Sequence, residues 1–395
     1  MAPSSDNPFG FSPPGSGGVP DDLAGKIPLF AELQKLLAWS GGPVNWELAR
    51  QVAIAGAGPG DRAVTPDEEQ EAREALRLAE LWLDPTTTLP AGVANVEAWT
   101  RVRWIELTLP TWSTLCDPVA ARVVEAMKGT LPEEMAAQAG PLIGVMGQVG
   151  GLLFGTQVGQ ALGTLAGEVH SSTDIGLPLG PAGVGALLPA NVAAFGEGLE
   201  LPLAEVRLHV ALREAAHHRL YAHVPWLRQH VLGAVEAYSR GIVIDPDAIQ
   251  RAVAEVDPLD PESLQQALGG GLFAQEQSPP QQVALGRLET ALALIEGWTA
   301  DVTDAASAGR LPGAAALGET LRRRRASGGP AEQTFATLVG LELRPRRLRE
   351  ATALWAAVRD ARGIDGRDEL WSHPDLLPGA DDLDDPAAFL ARTDD

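Results

Sequence analysis

Cysteine is almost absent from this chain: Cys116 is the only one in 395 residues. A disulfide within the chain is therefore excluded, and so is a zinc site built on several thiolates. Positive charge is also scarce, with 30 Lys and Arg against 52 Asp and Glu, a net charge of −22 and a pI near 4.7. So acidic a surface repels phosphate backbones and anionic lipid, and neither nucleic acid nor a membrane surface is expected as a partner. The opening stretch, MAPSSDNPFGFSPPGSGGVPDD, has neither the basic patch nor the apolar core of a secretory signal, so a cytoplasmic protein is expected. Three nucleotide and hydrolase signatures are missing as well: a Walker A loop, a G-x-S-x-G elbow, and a G-x-G-x-x-G after a strand. Strand-like alternation is short and rare.

Helical patterns fill the space left by these absences. Apolar residues make up 45% of the chain, enough to bury a sizeable core. Residues 1–26 are rich in Pro, Gly and Ser and are expected to be disordered. Asn45 is placed to cap WELARQVAIAGA, and Thr65-Pro66-Asp67-Glu68 orders cap, proline and early acids as a helix start does. The segment 94–128 reads as helix interrupted near Pro110 and Pro118. Asp245-Pro246-Asp247 opens another helix, and 282–305 and 346–362 carry long helical periods. The arginine clusters Arg322 to Arg325, and Arg344, Arg346, Arg347 and Arg349, are expected to pair with acidic neighbours rather than to bind phosphate. The end, GADDLDDPAAFLARTDD, reads as a solvated acidic tail over 381–395.

Glycines recur every four residues at Gly147, Gly151, Gly155, Gly159, Gly163 and Gly167. On a helix they form a stripe without side chains, against which a second helix can pack closely. No charge falls between Glu134 and Glu168, which is long enough for a bilayer span. Nine glycines, Gln148, Gln157, Gln160 and the lack of a flanking basic cluster favour a buried central helix instead.

Five of the seven histidines lie between His209 and His230. Pro202 and Pro225 bracket a helix over 203–224. Histidines sharing one metal on a helix need a spacing of three or four residues, and no pair here has it. His209 and His217 are separated by ~12 Å along the axis. Within this run, Arg213-Glu214-Ala215-Ala216-His217 is one residue from H-E-x-x-H, in which two histidines bind zinc and the glutamate is the general base. Arg213 takes the first ligand position, and a guanidinium has no lone pair to give. Glu214 and His217 keep the base and second-ligand positions. His218, His223 and His230 read as surface or capping residues.

LREAAHHRLYAHVPWL, together with GGPAEQTFATLVGLELRPRRLREA and WSHPDLLP…DLDDP, resembles the actinobacterial zincin-like hydrolases known as zinc-dependent metalloproteases. The resemblance runs from about Asn7 over nearly the whole chain. It implies a mainly α, zincin-like domain over 27–380, a hydrolase acting on a peptide or small molecule, and zinc as cofactor. A related branch associated with deazaflavin-cofactor biosynthesis keeps the full H-E-x-x-H and carries an E-G segment on a later helix as third-ligand source. The matching residues here are Leu294-Ile295-Glu296-Gly297-Trp298, which makes Glu296 the candidate ligand. Two arrangements stay open. His217 and Glu296 could hold zinc with a further ligand, Glu214 acting as base. Alternatively, Arg213 could pair with Glu296 where the metal would sit, leaving a catalytically inert scaffold or binding protein. The sequence is silent on oligomeric state.

Overall fold

The computed structural model describes residues 42–58, 60–129, 140–241, 278–326 and 347–393. The expected N-terminal tail, the Asp245-Pro246-Asp247 helix start, Arg344 and Arg346 lie outside these residues.

Helix formation starts at well-capped N-termini. Helix α1 (Trp46–Ala57) begins where the Asn45 side chain accepts from the Leu48 N–H. In α2 (Pro66–Leu83), Thr65 and Glu68 form a reciprocal capping box with Pro66 at the first position. Such caps are each worth about 1 kcal/mol. Strand β1 (Asn95–Ala98) follows, then α3 (Arg101–Gly129), which runs through Pro110 and Pro118 without a break. The expected interruption is absent for a physical reason. Each proline deprives the carbonyl four residues earlier of its donor. Those carbonyls belong to Glu106 and Thr114, both at exposed positions where water can bond them.

The stripe residues Gly155, Gly159 and Gly163 lie on α4 (Gly140–Ala166) and face α1 and its cap, while Gly167 follows the end of the helix. A Cβ at Gly155 would stand 2.6 Å from the Asn45 carbonyl, one at Gly159 2.6 Å from Val52 Cβ, and one at Gly163 2.9 Å from the Ala53 carbonyl. Only glycine lets these two backbones approach so closely. The stripe therefore packs against another helix. No described helix is long and apolar enough to cross a membrane.

Strand β2 (Val184–Leu187) pairs in parallel with β1, Asn95 opposite Val184 through Ala98 opposite Leu187. After the short α5 (Pro189–Gly196) comes α6 (Leu203–His223), followed by α7 (Leu227–Arg240), α8 (Pro279–Ser307), α9 (Ala314–Ala326), α10 (Leu348–Glu369) and α11 (Pro386–Thr393). The fold is mainly helical, with one small sheet among the described residues.

Helix α6 is buried on nearly every side and packs against α2, α8, α5 and β2. A helix in that position can carry charge only where every charge is paired. Arg219, 1% exposed, reaches Glu80, Asp84 and the Leu89 carbonyl and ties α6 to the end of α2. Arg367 on α10 is likewise buried, between Asp301 and Asp368, with its guanidinium over the Trp298 ring.

Of the two arginine clusters, the side chains that are described pair with acids, as their chemistry suggested. Arg322 and Arg323 reach Glu319, Arg324 reaches Glu168, Arg347 reaches Asp384, and Arg349 reaches Glu319. The acidic C-terminal segment does more than meet solvent: Leu383 and Phe389 are buried, and Asp382 pairs with Arg392.

Candidate functional site

Glu214 has no exposed surface and accepts hydrogen bonds on both oxygens. Oε1 receives the Ser172 hydroxyl, the Ala186 N–H at 3.1 Å and His218 Nε2 at 3.1 Å. Oε2 receives the Thr173 N–H at 3.1 Å and the Thr173 hydroxyl at 2.5 Å. Apart from His218, which lies on α6 itself, these donors come from two places. One is β2. The other is the loop after α4, whose Ser172 N–H bonds the Ala186 carbonyl and so runs alongside β2. Burial alone would raise the Glu214 carboxyl. His218, Ser172 and Thr173 outweigh it and hold the group at about 2. Glu214 is thus an ionised hub that joins α6 to the sheet, and both its oxygens are occupied.

On the same helix, Arg213, adjacent to Glu214, and His217, about one turn further on, both reach Glu296 of α8. Arg213 Nη2 is 2.5 Å from Glu296 Oε2, and His217 Nε2 donates to Oε1 at 3.1 Å. His217 Nδ1 lies 3.2 Å from the Thr173 hydroxyl, so Thr173 touches both the hub and this constellation. The third wall is Gly176, whose φ of +76° suits glycine and whose added Cβ would stand 2.6 Å from Glu296 Oε1. Tyr221 closes the other side of that turn, donating to the Gly176 carbonyl at 2.6 Å. Burial and the nearby Glu296 charge push the Tyr221 phenol up, so it remains a donor.

These residues do not fit a zinc ion, and the expected zinc cofactor is corrected on that ground. Among the described residues, no group of three or more His, Cys, Asp or Glu side chains converges as a ligand set. His217 and Glu296 do meet, but Glu214 is turned into its own donors and the third direction is filled by a guanidinium. Arg213 supplies positive charge to Glu296 without the lone pair a metal ligand requires.

Residues 44–390 match the family described as zincin-like metallopeptidase. The chain belongs to that family. The zincin-like chain also resembles a crystal structure from Chloroflexus aurantiacus, described as a candidate hydrolase with a novel fold. The two share 22% identity over 89% of this chain and 99% of that one, with a TM-score of 0.64. At this identity the likeness concerns the fold alone. No curated protein matches.

Several site residues escaped sequence reading. His218, assigned to the surface or a cap, is 7% exposed and bonds Glu214. Its position four residues after Glu214 was the available signal. Ser172 and Thr173 sit in a loop more than 40 residues upstream, and nothing local marks them as partners of Glu214. His209 is 1% exposed, and among the described residues neither ring nitrogen has a hydrogen-bond partner. Burial, with the Arg213 and Arg322 charges, lowers it to about 3, so the ring is neutral. It lines a cavity of about 10 Å³ with Arg213, Thr303, Asp304 and Arg322, room for one water at most.

Proposed function

We propose that this zincin-like protein is a non-catalytic scaffold or binding protein, in which a fixed guanidinium has replaced the family's metal. The observation that carries this reading is the Glu296 carboxylate, with one oxygen bonded by Arg213 and the other by His217. A carboxylate engaged this way offers no strong ligand position, and removing Arg213 from it would leave a buried charge uncompensated. Glu214 supports the same reading. A general base works best with a pKa near the working pH, whereas this carboxylate is held at about 2 by His218, Ser172 and Thr173 and has no face open to a substrate. On this account the R-E-x-x-H run is a degenerate form of the hydrolase motif. Its surviving task is to fasten α6, α8 and the 170–176 loop together.

The test combines zinc titration calorimetry with hydrolysis of a mixed fluorogenic peptide library by the full chain. The expected result is no saturable zinc site, and a thermal unfolding curve unmoved by zinc or by a chelator. Peptide hydrolysis that a chelator stops and His217→Ala abolishes would refute the reading.

A further inference from the structure

A second cavity, of about 310 Å³, opens between α7, α8 and the 374–380 segment, and its residues are separate from Arg213, His217 and Glu296. Small-molecule pockets start at roughly this size, around 300 Å³. Its walls are apolar, with Ala291, Leu294, Leu377 and Pro378 among them. Three polar side chains line it: Arg287, His230 and Thr290. None of the lining residues is acidic, although the chain carries 52 Asp and Glu.

Arg287 is the notable group. Arg219 and Arg367, which are buried, and Arg213, which is partly buried, sit on carboxylates, whereas Arg287 is exposed. Among the described residues Arg287 has no carboxylate within ion-pair distance, and the groups beside it are His230 and the apolar wall. His230 is set firmly in place. Its ring meets Trp226 edge-on at 5.5 Å, and Trp226 stacks on Trp371, which stacks on Trp355. The far wall is anchored too, since the Gly379 N–H bonds Asp382 and the Ala380 carbonyl accepts from Arg347. Arg287 is the one lining side chain with a permanent charge, and burial together with that charge lowers His230. A single guanidinium over an apolar floor matches a monoanion, and its planar fork matches a carboxylate.

We propose that this cavity binds a small organic monocarboxylate, its carboxylate on Arg287 and its apolar body against Ala291, Leu294, Leu377 and Pro378. His230 and Thr290 flank the carboxylate end. Gly286 also lines the cavity, and a Cβ built there meets nothing within 4 Å, so a larger side chain has room to extend into it.

The experiment uses the full chain with 4-phenylbutyrate and its neutral isostere 4-phenylbutyramide, read by ligand-observed NMR titration. Phenylbutyrate is expected to bind saturably, and the amide about tenfold or more weaker, because it forfeits the charge-assisted pair. Arg287→Gln should bring the acid down to the amide's affinity. Gly286→Leu should block both ligands. Arg287 is exposed and Gly286 is an open helix position, so both variants should keep the thermal transition of the parent. No saturable binding of the acid, equal binding of acid and amide, or unchanged affinity in Arg287→Gln overturns the proposal.

Discussion

Replacing Glu214 by Gln tests the hub most directly. The carboxylate accepts from five donors, three on Oε1 and two on Oε2. An amide can accept on one oxygen only. If its oxygen takes the Oε1 place, its NH2 faces the Thr173 N–H, which can only donate. The Thr173 hydroxyl can turn to accept, so one buried backbone donor is orphaned, at about 1–3 kcal/mol. Loss of the charged bonds to His218 and Ser172 adds to that. Linkage gives an independent figure. The carboxyl moves from 4.5 unfolded to about 2 folded. At ~1.4 kcal/mol per pH unit this is about 3 kcal/mol. The sign follows from the lowered value. The unfolded chain binds the proton more tightly, so this stabilisation is complete above pH ~4.5 and is lost as pH falls toward 2. Urea unfolding should therefore show Glu214→Gln about 3 kcal/mol less stable at pH 7, out of the roughly 5–15 kcal/mol typical of a domain. The gap should shrink as pH is lowered through 4.5 to 3. A variant as stable as the parent at pH 7, or a gap independent of pH, would refute the hub.

Three further predictions concern packing and charge. Arg213→His completes H-E-x-x-H beside Glu296, and this variant should gain a stoichiometric zinc site with a zinc-dependent rise in Tm; a folded variant that takes up no zinc counts against the guanidinium standing where a metal would. Gly159→Val forces Val52 and the Ala49 carbonyl away from α4 and should cost about 1–3 kcal/mol by overpacking, whereas Gly150→Ala, with nothing within 4 Å, should be neutral or stabilise by up to ~1 kcal/mol in the same denaturation assay. Arg367→Met takes an ion-pair partner from two buried carboxylates, leaving Asp301 with Arg359 and Asp368 with neutral donors on Thr87, Thr88 and Trp298, and should lower stability by about 3–5 kcal/mol, with a Tm drop visible by calorimetry.

Much of this was legible in the sequence. Capping residues at Asn45 and Thr65 act through hydrogen bonds to neighbours three positions away, so local order alone reveals them. The glycine period of α4 announced a close helix contact because a stripe without side chains is costly unless buried. Arg213 announced trouble for a metal because guanidinium chemistry does not depend on fold. Pro110 and Pro118 misled, since whether a proline breaks a helix depends on whether water reaches the carbonyls it orphans, and that is a property of the packed molecule. What only tertiary structure decided is where the charges of α6 go. Glu214 meets a loop more than 40 residues before it, and Arg213 and His217 meet Glu296 on a helix some 80 residues later. Those distances in sequence carry no periodicity. A buried charge takes whichever partner the fold brings within about 3 Å, and the choice between a metal and a guanidinium at Glu296 was made there.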